Sequence, residues 1–253
     1  MRYYDPDTGE MLYGWIETSG YRYYVDEITG KATGEIEVDG VRYILNEDGT
    51  QSLGFCTFSD DTVSYYDEMG EIVLGWLEEK GSSYYFDESG VMQTGFQTIS
   101  SKTYYFSTDG IMQTGWVTVS SSRYYFSSGG VMQTGFITVS GSTYYCSSSG
   151  VMQTGWQTIN SNKYYFGTDG VMRTGRQTID GKVYNFLDDG TLKIVKICID
   201  AGHYGQYNQS PVNSAYYESE MMWKLHLYLK AALESYGIEV VTTHGWIRRK
   251  TCL

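Results

Sequence analysis

Proline is nearly absent from this chain of 253 residues: two occur, against 30 glycines and 26 tyrosines. That balance reads as many short strands joined by glycine turns. No run of about 18 apolar residues exists, so no segment is expected to span a membrane. No secretory leader is visible, because Met1 runs straight into RYYDPDTGEM, which is already inside a repeat. An export signal for work outside the cell would lie outside this sequence. Cysteine is scarce too. Cys56, Cys146, Cys198 and Cys252 form no CxxC pair. Cys146 stands in YYC where other repeats carry YYF, the place of a small buried hydrophobe. Cys56 and Cys146 lie several repeats apart and are not expected to bridge, so cysteine says little about compartment. Positive charge is thin at the front. Residues 1–90 hold 5 Lys/Arg against 20 Asp/Glu, a net of −15, whereas residues 91–192 come to +1 and residues 193–253 to +2. An acidic front half argues against a nucleic-acid partner, whose phosphates must be neutralised. Those acids read as a solvated surface.

What the chain has in abundance is one short pattern. Gly followed by a large ring recurs at Gly14-Trp15, Gly54-Phe55, Gly75-Trp76, Gly95-Phe96, Gly115-Trp116, Gly135-Phe136 and Gly155-Trp156. Gly34-Glu35 and Gly175-Arg176 keep the spacing and lose the ring. The step is 20 residues, once 21. A fixed period of this length predicts stacked units, each too small to bury its own apolar face.

Each unit parses as a β-hairpin. In GWVTVSSSRYYFSSGGVMQTG, residues 116–119 and 123–126 read as strands with serine- and glycine-rich turns. Side chains alternate faces along a strand. Position 119 and its equivalents are mostly apolar and point inward with Tyr124 and Phe126. Trp116, Thr118, Arg123 and Tyr125 then share the outer face. Such rings can simply cover the seam between neighbouring hairpins. Their repetition on a polar face also makes a stacking surface for sugar rings or for a quaternary ammonium held by cation–π attraction. The candidate ligand-binding residues are Trp15 with Tyr24, Trp76 with Tyr85, Trp116 with Tyr125, and Trp156 with Tyr165.

Residues 1–192 resemble the cell-wall-binding repeat family found in choline-binding wall proteins, glucan-binding transferases and large clostridial toxins. The pattern GW…YYF-x(3)-G-x-MQTG carries the resemblance, in about ten copies. It implies a solenoid of β-hairpins with ligands between successive units, and a location outside the cell or on its wall. Choline-binding members typically place a Trp before the Tyr-Tyr pair to complete an aromatic cage. Here that position holds Arg2, Arg22, Arg42, Ser64, Ser83, Thr103, Arg123, Thr143, Lys163 and Val183. The third ring is absent there, and a cation in half the units would repel choline. Peptidoglycan or another wall polysaccharide is therefore the expected partner, with choline or a host glycan as alternatives. Arg123 and Lys163 could donate hydrogen bonds to sugar hydroxyls.

From residue 193 the text changes. KICIDA, residues 196–201, reads as a buried strand by its apolar run. A polar loop leads to a helix of about 20 residues from near Glu218, with Met222, Leu225, Leu229, Ala232, Leu233 and Tyr236 as its apolar face and Gly237 as its cap. IEVVTT, residues 238–243, makes a second strand. Strand, helix and strand in this order form a crossover unit with two parallel strands. Open α/β sheets place their chemistry at the carboxyl ends of strands, where His203 falls. The fold class is thus mostly β, hairpin repeats over 1–192 followed by an incomplete α/β segment over 193–253.

KICIDAGHYG…YYESEMMWKLHLYLKAALESYGIEVVTT resembles the opening of the zinc-dependent N-acetylmuramoyl-L-alanine amidases, which cut the amide joining peptidoglycan glycan to its stem peptide. The resemblance implies zinc, with His203 and Glu218 as its first two ligands. The family's second His ligand and its Glu base have no counterpart here, so the segment is expected to be inactive as written. An active autolysin is the alternative. His226 lies about 12 Å along the helix from Glu218, too far to share its metal. His244 is better placed, but nothing downstream fixes its ring. HGWIRRKTCL matches nothing of the family, and the chain reads as a fragment of a larger wall hydrolase.

Overall fold

The structure is a computed structural model and describes residues 3–200, 218–236 and 238–243. Contacts divide the chain into two compact units, residues 1–133 and 134–253. The division falls inside the repeats; the change of text at residue 193 lies within the second unit.

Nine antiparallel hairpins account for most of the described strands, from Gly14–Thr18 with Tyr21–Asp26 to Gly175–Ile179 with Lys182–Phe186. Tyr3–Tyr4 pairs with Met11–Leu12 ahead of them, the closing half of a further repeat. In Gly115–Val119 with Ser122–Phe126 the register sets Trp116 opposite Tyr125 and Val119 opposite Ser122. Only Ser120 and Ser121 remain for the turn, with φ of 47° and 72°. Two consecutive left-handed residues make the type I′ turn, whose twist matches that of the flanking strands. The turn is therefore one residue shorter than serine content indicates.

Alternation places the side chains as their polarity requires. Phe86, Phe106, Phe126 and Phe166 are fully buried, as is Cys146 in the place of a phenylalanine. Cys56 is buried as well, and both thiols are free. Glu78, Thr98, Thr118 and Thr138 are exposed. One hairpin departs from this reading. In Gly54–Thr57 with Val63–Tyr66, Phe55 faces Tyr65 and Gly54 faces Tyr66. Tyr66 therefore takes the buried phenylalanine position, and Val63, not Ser64, stands where other repeats have the residue before Tyr-Tyr. The longer 58–62 turn, which supplies the extra residue of the 21-residue step, moves the pair along by one place.

Successive hairpins within each unit are stitched through the MQTG stretch. Met112 N–H donates to the Ser83 carbonyl at 2.8 Å, Met132 to Thr103 at 2.8 Å, Met172 to Thr143 at 2.8 Å and Leu192 to Lys163 at 2.7 Å. Each bond reaches back to the hairpin before. The turn glycine of each unit then lies on the methionine of its predecessor. Gly110, at φ +75°, sits over Met92, and a β-carbon there would overlap its thioether. Hence the period is held by backbone hydrogen bonds and by a glycine that leaves room for a neighbour.

Val195–Asp200 and Ile238–Thr243 pair in parallel, Val195 opposite Ile238 through Asp200 opposite Thr243, with the helix Glu218–Ser235 between them in sequence. This confirms the crossover unit. Of the apolar face expected for the helix, only Leu233 lies in the more buried row among the described side chains. Leu225, Leu229 and Tyr236 are exposed at 58%, 44% and 55%, while His226 is buried and Lys230 and Leu233 are half-buried. The row 226, 230, 233 is itself at helical spacing. It faces inward because two strands are too few to cover a whole apolar stripe. No described helix is long and apolar enough to cross a membrane.

Candidate functional site

The register brings each Gly-ring residue directly across from a tyrosine of its own hairpin, the second of the Tyr-Tyr pair except at Phe55, which faces Tyr65. Trp15 faces Tyr24, Trp76 faces Tyr85, Trp116 faces Tyr125 and Trp156 faces Tyr165. All four candidate pairs are therefore brought together. Ring centroids are 5.3, 5.2, 5.0 and 5.1 Å apart in the same order, in edge-to-face arrangement. Phenylalanine makes the same pair where it replaces Trp, as in Phe96 with Tyr105 at 4.8 Å and Phe136 with Tyr145 at 5.0 Å.

A third ring joins from the following hairpin. Trp76 meets Tyr104 at 5.0 Å, Phe96 meets Tyr124 at 5.0 Å, Phe136 meets Tyr164 at 5.2 Å and Trp156 meets Tyr184 at 4.8 Å. Trp15 meets Tyr43 at 4.7 Å and Phe55 meets Tyr84 at 4.9 Å in the same way. The expectation that the third aromatic is missing is thus corrected. The residue before Tyr-Tyr does not supply it; the first tyrosine of the next repeat does. The reason is the stacking. The inner face of one hairpin lies on the ring face of the hairpin before it, so a tyrosine that is inward for its own unit completes the neighbour's cluster. The sequence carries only the general signal, that an inward face with nothing of its own to cover must cover the adjoining unit; which ring it meets is set by the stack.

These rings line seams that remain open to solvent. Trp76 is 43% exposed and Trp156 37%. Behind each lies a buried phenylalanine, Phe106 at 5.9 Å from Trp76 and Phe186 at 5.8 Å from Trp156. One side of the cluster is a wall of core and the other faces water, the arrangement in which an aromatic can pack and still receive a ligand.

Charge differs from seam to seam. Glu78 stands two residues past Trp76, on its face, and accepts the Ser83 hydroxyl proton. At Trp15 the Arg22 guanidinium lies 4.5 Å from the ring centroid, and at Trp116 that of Arg123 is equally close. Arg22 is further held by Glu71 at 2.9 Å and by the Gly70 carbonyl at 2.9 Å. Arg42 bonds Asp60 at 2.9 Å and Glu35 at 3.2 Å, in the repeat where glutamate has replaced the ring. The Tyr65 hydroxyl, raised by burial and then by the neighbouring carboxylate, donates to Glu79 at 3.3 Å. At the last hairpin Arg176 and Asn185 replace both rings. There Arg176 lies 5.8 Å from the ring of Tyr236, and a groove of about 560 Å³ runs between Arg176, Asn185, Lys193 and Tyr236.

Of the residues implied as zinc ligands, His203 lies outside the described residues, as does His244. Glu218 opens the helix, its side chain outside what is described. Among the described residues no group of three His, Cys, Asp or Glu side chains is placed to hold a metal. With neither donor of the pair described, the fit to zinc has no geometry, and no step is assigned to it.

Family models match the repeats. A choline-binding repeat matches residues 93–133 and 153–193, and a cell wall binding repeat matches residues 75–92 and 134–152. Three similar structures come from Streptococcus pneumoniae. CbpJ is 27% identical, with a TM-score of 0.61 over 76% of this chain and 84% of that one. Choline binding protein F, solved in the presence of a peptidoglycan analogue, is 26% identical, with a TM-score of 0.62 over 76% and 83%. The choline-binding domain of CbpL is 25% identical, with a TM-score of 0.55 over 73% and 98%. No curated protein matches the chain by sequence. The matched residues end at 193 and give no support to an amidase domain. Residues 75–193 of the hairpin array are thus similar to choline-binding and cell wall binding repeats, and the hairpins ahead of them share the same strand pairing.

Proposed function

We propose that the chain attaches to bacterial cell wall by holding quaternary ammonium groups of wall polymers, of the choline type, in its three-ring seams. The observation that carries this reading is the cluster of Trp76, Tyr85 and Tyr104 beside Glu78. Three π-faces at one half-exposed spot attract a cation that is too poorly hydrated to prefer water, and a carboxylate on the same face adds to the attraction. A trimethylammonium also presents methyl groups, which suit an aromatic surface better than a lysine ammonium does. Each contact contributes only about 0.5–2 kcal/mol, so a single seam binds weakly. A repeated polymer meeting a repeated seam turns weak contacts into avidity of about 10²–10⁴ over one site. The similarity to choline-binding structures, one of them solved with a peptidoglycan analogue, supports this assignment.

Wall polysaccharide remains the second reading, favoured where the charge is not negative. The Trp156 seam has the same ring geometry as that of Trp76, with Thr158 and Lys163 on its face in place of Glu78 and Ser83. The strand–helix–strand segment, by its resemblance to the start of an amidase, belongs with a wall-degrading context, and it adds no hydrolysis of its own in this reading. The test is retention of the intact chain on purified cell walls, followed by elution. Free choline should release it without freeing stem peptides. Elution by muropeptide glycan alone would establish the polysaccharide reading. Failure to bind walls would overturn both.

A further inference from the structure

We propose that the residue facing the ring-plus-two position across each hairpin decides whether that seam admits a cationic ligand, and that Arg22 keeps its own closed. The inference rests on the quaternary ammonium reading and goes beyond it, by assigning which seams are available. The residue concerned is the one before the Tyr-Tyr pair in most repeats: Arg22, Ser83, Thr103, Arg123, Thr143 and Lys163. Each sits on the ring face, opposite Glu17, Glu78, Thr98, Thr118, Thr138 and Thr158 in turn.

Two observations make this position a selector. Its backbone has a fixed task, because its carbonyl accepts the hydrogen bond that ties on the next unit. Gln51 N–H donates to Arg22 at 2.8 Å, Met112 to Ser83 at 2.8 Å and Met132 to Thr103 at 2.8 Å. The stitch therefore holds whatever the side chain is, and the side chain can vary without loosening the stack. The side chain itself reaches the ring. Both Arg22 and Arg123 place a guanidinium 4.5 Å from the indole centroid, which is where a bound cation would stand. Arg22 is fixed there by Glu71 and the Gly70 carbonyl, and only 17% of its side chain is exposed. A second cation entering the Trp15 seam meets a ring face already covered by a guanidinium that Glu71 at 2.9 Å and Glu17 at 3.8 Å hold in place, so exclusion there is by occupancy. At Trp76 the same position is Ser83, a short neutral side chain turned to Glu78. Thr103 and Thr143 leave Phe96 and Phe136 equally free of a covering charge. The chain thus carries its own ligand mimic in the Trp15 seam and leaves others open to the wall.

Counting bound choline on the intact chain by equilibrium dialysis tests this, with far-UV circular dichroism confirming the fold of each variant. Ser83→Arg should remove one bound choline per chain, Ser83→Thr should leave the number unchanged, and Arg22→Ser should add one. An unchanged count in Ser83→Arg or in Arg22→Ser overturns the inference while leaving the ligand reading intact. A wild-type chain that binds no choline overturns the ligand reading, and this inference falls with it.

Discussion

Trp76 and Tyr104 lie in different hairpins, 28 residues apart in sequence, and meet with ring centroids 5.0 Å apart at 69°. The pair joins stability to function. Edge-to-face contacts of this kind contribute about 0.5–1.5 kcal/mol beyond burial, so the rings that glue one unit to the next are also those offered to a ligand. Binding and stacking therefore respond to the same substitutions, and predictions that separate them must address parts of the repeat outside the ring cluster.

Two glycines of positive φ, one opening a strand and one in a turn, provide such a separation. Gly115 has φ +70° and no neighbour within 4 Å of a would-be β-carbon, so Gly115→Ala carries only the left-handed penalty of about 1–2 kcal/mol. Gly110 has φ +75° and also lies against Met92. Gly110→Ala should lose about 1–3 kcal/mol more through overpacking. Urea midpoints of the two variants check the order, and equal losses would remove the glycine–methionine contact from the account.

The type I′ turns offer the opposite sign. Ser121 and Ser101 hold φ of 72° and 63°, where glycine carries no steric penalty. Ser121→Gly and Ser101→Gly should each raise stability by a few tenths to about 1 kcal/mol. Thermal unfolding of the double variant should move upward, with choline binding unchanged.

At low pH the Asp60 carboxyl is the group to watch. The Thr62 hydroxyl, Arg42 and the Thr62 amide hold it at about 2. A folded value below the ordinary one stabilises at neutral pH, and that stability is lost as pH falls from about 4 through 2. The thermal midpoint should decline over that range, and less steeply in Asp60→Asn.

At high pH the sign reverses. Burial pushes the Cys146 thiol up to about 11 and the Tyr66 phenol up to about 12. Folded values above the ordinary ones mean that stability is complete below about pH 9 and is lost as pH rises through these values. In Cys56→Ala with Cys146→Ala the alkaline decline should start later, in the tyrosine range. A decline that begins at the same pH as in the parent chain would contradict burial of the thiols.

Much of this architecture is legible in the amino-acid sequence. A 20-residue period, Gly-ring pairs and alternation along YYF are enough for hairpins, for their inward and outward faces and for the four Trp–Tyr pairs. What the sequence hides are relations between units. Nothing local to Tyr104 says that it serves Trp76, because its facing is set by its own strand while its partner is set by the stack. Arg22 and Arg123 read as repelling a ligand, yet their place over the indole follows only from cross-strand register. The shifted pair Tyr65-Tyr66 depends on the length of the 58–62 turn. In the helix, apolar spacing points to Leu225 and Leu229, whereas His226 is buried, since a two-stranded sheet covers one row of side chains rather than a full stripe.

The most direct test of the central claim is a choline titration of the chain with ¹⁵N-labelled indoles, followed by NMR and repeated on Tyr104→Ala. The account predicts a saturable shift of the Trp76 indole signal in the parent chain and its loss when Tyr104 is truncated. A Trp76 signal indifferent to choline, or one that responds equally without Tyr104, would contradict it.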